Sequence, residues 1–170
     1  MHNQKYLKFL FLLSTLLILL LVGCTSALST PTLAGQTASI EYMNKEYGFS
    51  FTLPASWTGY TILTDQWQGL AVVPSGEAVV EQGPIISIRH PLWTSQNPRQ
   101  EIPIMVFTLA QWNSLQQGNF HIGAAPIGPS ELGRNALYVF ALPARYNYAF
   151  PTGFEEVETI LESHPLHIPR

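Results

Sequence analysis

The chain has 170 residues, of which 46% are hydrophobic and only 11% charged, with a formal net charge of −3. So apolar a composition excludes a disordered solvating segment, and the negative balance excludes a basic nucleic-acid footprint. Cys24 is the single cysteine, which excludes an intrachain disulfide framework.

The first element is a leader. Lys5 and Lys8 precede residues 9–22, which are apolar apart from Ser14 and Thr15. A membrane-spanning helix needs about 20 apolar residues, whereas a shorter run behind two lysines has the form of an export signal. The run ends in Leu21-Val22-Gly23-Cys24, which resembles the lipobox of bacterial lipoproteins. In that family the cysteine thiol receives a diacylglycerol, a dedicated peptidase cuts just before it, and the new amino terminus is open to further acylation, typically by palmitate. Small residues before the cysteine let the backbone enter a narrow, membrane-embedded peptidase. The resemblance implies a lipoprotein signal peptide over 1–23. It also implies a mature protein anchored through Cys24 to a bacterial cell membrane, facing its extracytoplasmic side. Each buried CH₂ of an acyl chain contributes about 0.8 kcal/mol, and two chains suffice for stable anchoring. Cleavage there leaves 147 residues of formal charge −5, a size for one domain. From Thr25 to Ser39 the residues are mostly Ser, Thr, Ala, Gly and Pro, so a flexible tether is expected over 24–37 and a single folded domain over 38–170.

The domain opens with strand periodicity. Ile40 and Tyr42, then Phe49, Phe51 and Leu53, alternate with polar neighbours around Lys45-Glu46-Tyr47-Gly48, a hairpin with the glycine in its turn. Further strands are expected at 60–63, 70–73, 85–90, 102–107 and 136–142, and Glu77 and Glu81 are expected to flank a turn. Residues 102–107 are apolar on both parities, as a strand covered on both faces would be. Pro103 suggests that this strand begins at an edge or starts later. Two helices interrupt the series. Thr108-Leu-Ala-Gln111 has capping-box form, with Leu109, Trp112 and Leu115 following at helical spacing. Thr152-Gly-Phe-Glu155 repeats the signature, with Phe154, Val157, Ile160 and Leu161 as one stripe and Pro165 as the stop. These elements predict an α+β fold, a mostly antiparallel β-sheet flanked by helices, with a C-terminal helix packed on the sheet.

The segment Tyr47-Gly-Phe-Ser-Phe-Thr-Leu-Pro-Ala-Ser-Trp57 resembles the opening hairpin of PsbP-like domains, a family with many uncharacterised bacterial lipoproteins among its relatives. The resemblance implies an antiparallel sheet flanked by helices and ending in a helix. It brings no catalytic residue with it.

The segment with most chemistry is Arg89-His90-Pro91-Leu92-Trp93, followed by Arg99 and Glu101. Two guanidinium forks beside an aromatic face suit an anionic or ring-bearing partner, so Arg89, His90, Trp93 and Arg99 are the candidate binding residues. The competing expectation makes His90 a core residue, Trp93 a cover for the sheet edge, and Arg89 a surface partner of Glu101. His164 and His167 lie close together, but Pro165 separates them and no cysteine or nearby aspartate completes a metal set. Neither a catalytic motif nor a cofactor motif is present. The reading that follows is a binding module for an envelope protein or glycan. The alternatives are a cell-envelope hydrolase or transferase acting near His90 and Glu101, and a lipoprotein binding a small ligand or metal.

Overall fold

The alternation around Lys45–Gly48 folds as a hairpin. The computed structural model describes residues 38–124 and 126–169; the expected signal peptide, Cys24 and the tether lie outside the described residues. Strands β1 (Ser39–Asn44) and β2 (Phe49–Pro54) pair antiparallel from Ser39↔Pro54 to Asn44↔Phe49. Gly48 takes φ +70°, and the Asn44 side chain accepts the Tyr47 amide at 2.9 Å, which closes the turn. Phe49, Phe51 and Leu53 point to one face of β2 and are fully buried.

A 3₁₀ turn, Ala55–Trp57, leads to β3 (Thr61–Val73) and β4 (Gly76–Arg89). Two short strands were expected where β3 is continuous over 13 residues. Its polar middle, Thr64-Asp65-Gln66, is tolerated because β4 pairs along its whole length while one face meets solvent. The turn is Pro74–Ser75, with Val73 paired to Gly76, so Glu77 and Glu81 both lie on β4 instead of flanking a turn.

β5 (Ile102–Thr108) is interior to a six-stranded sheet whose order is β6 (His121–Ile122), β3, β4, β5, β8 (Tyr138–Leu142), β7 (Ser130–Arg134). Ile102, Ile104 and Val106 enter one core while Met105 and Phe107 enter another on the opposite face, so the unbroken apolar run is buried on both sides. β5 is interior from Met105 onward but begins at an edge, as expected from Pro103. Pro103 is paired with Ser87, and β8 joins only from Met105 onward, which leaves an open flank where a missing N–H is tolerated. The helix α1 (Leu109–Gln116) has the expected capping box: Thr108 Oγ1 accepts the Gln111 amide at 3.1 Å, and the Gln111 side chain accepts the Thr108 amide at 3.0 Å.

Three short strands escaped the sequence reading: β6 (His121–Ile122) on β3, β7 (Ser130–Arg134) on the next strand, and β9 (Leu166–His167) on β2. β8 (Tyr138–Leu142) starts later than expected, because Asn135 Oδ1 takes the amides of Leu137 and Tyr138 into the turn before it. The last helix, α2 (Phe154–Glu162), buries Val157 and Ile160, with Phe154 and Leu161 half-buried. Its expected Thr152 cap is absent. Gly153 occupies the N-cap at φ +83°, while Thr152 is drawn into a parallel bridge with Arg99 and its carbonyl accepts the Gln100 amide at 2.9 Å.

The class is therefore α+β, with two short helices against mostly antiparallel sheet. One core joins the three-stranded sheet β1-β2-β9, the large sheet and α2; the other lies on the far face of the large sheet under α1. Antiparallel register also sorts the loops. The start of β1, the 3₁₀ turn, the β4–β5 loop and the β8–α2 loop gather at one end of the domain, and the three hairpin turns at the other.

Candidate functional site

Arg89 and His90 straddle the end of β4, and successive strand residues point to opposite faces. Their surroundings differ accordingly. Arg89 Nε donates to Glu101 Oε1 at 2.5 Å, and its Cζ lies 3.8 Å from the centre of the Trp93 ring. Both fork and face are thus engaged with each other, about a quarter exposed. An ion pair at such exposure is worth about 0–1 kcal/mol.

His90 is only 4% exposed. Its Nδ1 accepts the Leu92 amide at 3.1 Å, which places the ring proton on Nε2. The ring stands edge-on to Trp57 at 4.9 Å, and Nε2 is 4.0 Å from Glu156 Oε2. Arg99 Nη2 lies 3.7 Å from that same oxygen, and Ser56 Oγ donates to Glu156 Oε1 at 2.7 Å. Gly153 leaves room for Arg99, since a Cβ there would stand 3.0 Å from its Nη2.

Two expectations are corrected by this arrangement. Arg99 does not join Arg89 over the Trp93 face; it belongs to the His90 and Glu156 group. The carboxylate facing His90 is Glu156, because Glu101 is held by Arg89 on the other side. Glu156 is one of two neighbouring acids in the first turn of α2, and nothing in the sequence singles it out. Core packing of α2 and the Arg99–Thr152 bridge set its first turn beside the β4–β5 loop, which brings Glu156 to His90. Trp57 Nε1, Arg99 Nε and Gln100 Oε1 are buried without a hydrogen-bond partner among the described residues.

Burial, first, and then the positive charge of Arg99 hold the His90 pKa below its ordinary value, with Glu156 opposing. The unfolded chain then takes up this proton near pH 6.5, before the folded chain does, so acid favours unfolding. Wild type is expected to lose stability as pH falls from 7 through the window below 6.5, and His90→Gln, which keeps an acceptor but cannot charge, to show a shallower slope. Thermal melts of both proteins between pH 7 and 5 check this; parallel slopes would remove His90 as the source.

Chemically the group is a clasp. Glu156 is occupied by Ser56 and Arg99, and Ser56 donates to the carboxylate instead of to His90. Two hollows among the described residues are of ligand size, and one of them reaches Glu156. A groove of about 520 Å³ runs between β7, α2 and β9, with Leu132, Leu142, Leu161 and Leu166 as its apolar lining. Glu131, Glu158 and Glu162 line it too; Glu131 is bound by Arg134, and Glu158 accepts from Asn147 Nδ2 at 2.8 Å. Burial, and next the charge of Glu158, push the Tyr146 hydroxyl pKa up beside them. None of the four candidate binding residues lines this groove. A second hollow of about 440 Å³, between β2 and α2, includes Glu156. Both volumes fall in the range of ligand sites.

The tail histidines separate: His167 Nε2 lies 3.1 Å from Thr52 Oγ1, and His164 is exposed in the turn after α2. Among the described residues no three His, Cys, Asp or Glu side chains group as a metal site requires, and no helix is long and apolar enough to cross a membrane. Comparison of the chain with protein-family models, with curated proteins and with solved structures gives no match in any of the three.

Proposed function

We propose that this chain is a lipid-anchored, extracytoplasmic binding module, held to a bacterial membrane through Cys24 and carrying a PsbP-like domain that engages an envelope protein or glycan. The observation that carries the reading is Leu21-Val22-Gly23-Cys24, with the chain's single cysteine placed directly after the apolar run. The PsbP-like part is supported by the Tyr47–Trp57 phrase, which forms the first turn, β2 and the 3₁₀ turn, and by the last helix α2, although the short strand β9 follows it. Binding is favoured over hydrolysis because Glu156 is held by Ser56 and Arg99 and His90 is almost fully buried. The leucine-lined groove with Glu158 and Glu162 at its border favours a partner that presents hydroxyls or a cation over an anionic one.

Metabolic labelling with a clickable fatty acid tests the anchor. Wild type is expected to take the label and sediment with membranes, whereas Cys24→Ala loses it and accumulates as precursor. Equal labelling of the two proteins would sink the lipoprotein reading. For the partner, a photo-crosslinking residue at Glu162, on the groove, is expected to capture an envelope component in intact cells that the same residue at Val72 does not.

A further inference from the structure

The end of the domain where the chain enters carries an unusual surface. The β4–β5 loop exposes Leu92 to 65%, and the β8–α2 loop exposes Tyr148 to 74% and Phe150 to 67%. The two loops are one unit: the Gln100 amide donates to the Thr152 carbonyl at 2.9 Å, and Gln100 Nε2 donates to the Tyr146 carbonyl at 3.2 Å. Arg145 and Phe150 are held at φ +56° and +46°, a left-handed conformation that is costly for a residue with a side chain. The backbone is thus strained where it turns a large aromatic ring toward solvent. Arginines accompany the rings, Arg89 over Trp93 and Arg145 Cζ 5.7 Å from the centre of the Tyr148 ring. Arg145 makes no ion pair among the described residues. Aromatic and aliphatic tips set among arginines are the composition of a membrane–water boundary, where rings sit at headgroup level and guanidinium groups reach phosphates.

The chain itself identifies the occupant. Ala38, whose carbonyl accepts the Ala55 amide at 2.9 Å, lies at this same end. Fourteen residues, 24–37, connect it to the anchoring position, and at full extension they span at most about 50 Å. Anchored at Cys24, the domain cannot leave the membrane surface, so even a small contact area meets it at high effective concentration. We infer that this end is a bilayer-contact surface: Leu92, Tyr148 and Phe150 enter the boundary of a lipid bilayer while Arg145 meets its phosphates, which presents the leucine-lined groove in a set orientation. The inference rests on the lipid-anchor reading.

The test uses the full-length lipidated protein in vesicles of phosphatidylethanolamine and phosphatidylglycerol. Leu92→Cys, Tyr148→Cys and, as control, Val72→Cys each receive an environment-sensitive thiol dye, and quenching by a spin-labelled lipid is measured. Val72 is 86% exposed and lies beside the β3–β4 turn, about 35 Å along the strand from the loops. Dyes at positions 92 and 148 are expected to shift to the blue and to be quenched several-fold more than the dye at 72. Equal quenching at all three overturns the surface, as does shielding that appears only after envelope proteins are added. Labelling of the parent protein at Cys24 would instead overturn the anchor, and the inference with it. All three positions are exposed, and a melting curve for each labelled protein confirms an intact fold.

Discussion

Trp67→Ala is expected to cost about 3–5 kcal/mol, the range for emptying a buried aromatic site. Trp67 is 2% exposed, stacks on Phe107 at 4.4 Å and lies parallel to Phe120 at 6.1 Å. Its ring also covers Gly83 on the facing strand, where an added Cβ would stand 2.6 Å from the indole. The indole Nε1 donates to the Val106 carbonyl at 2.9 Å. Removing the side chain therefore empties the centre of the α1-side core and uncovers the glycine. For a domain of this size the loss corresponds to a fall of roughly 10–20 °C in melting temperature. Trp67→Phe, which keeps a ring and loses the hydrogen bond, should lie between the two proteins. Urea melts of the three would check the order, and an alanine variant within 1 kcal/mol of wild type would mean that this core is not closed.

Phe140→Ala is expected to cost a similar amount, about 3–5 kcal/mol, for a different reason. Phe140 sits on β8 of the large sheet and meets Phe49 on β2 of the small one, with ring centres 4.6 Å apart. It is fully buried, and it belongs to the core that also holds Val157 and Ile160 of α2. The substitution should loosen the small sheet and α2 first, so amide exchange is expected to accelerate at β1, β2 and α2 more than at β3. The two cores lie on opposite faces of the large sheet and share no side chain, so the two costs should add. Their sum, about 6–10 kcal/mol, is comparable with the whole stability of a typical domain, and the double variant should not remain folded. A double variant no weaker than either single one would show that the cores are not independent.

Determined by sequence alone was whatever depends on neighbours a few residues apart. The β1–β2 hairpin, the capping box at Thr108, the two-faced burial of β5 and the apolar stripe of α2 follow from periods of 2 and 3.6 residues and from local side-chain-to-backbone bonds, and each was legible. Tertiary structure decided everything that depends on a partner from elsewhere in the chain. β3 runs on through a polar stretch because β4 pairs it throughout; β6, β7 and β9 exist because an open strand edge lay within reach; Thr152 gives up its cap because its backbone is needed by Arg99 and Gln100. The candidate site divides along the same line. Alternation along β4 placed Arg89 and His90 on opposite faces and was readable, and so was the pairing of Arg89 with Glu101. The grouping of His90, Arg99, Ser56 and Glu156 was not, because an ion pair needs only that two charges be near, and which helix turn docks beside which loop is set by packing of the core beneath them.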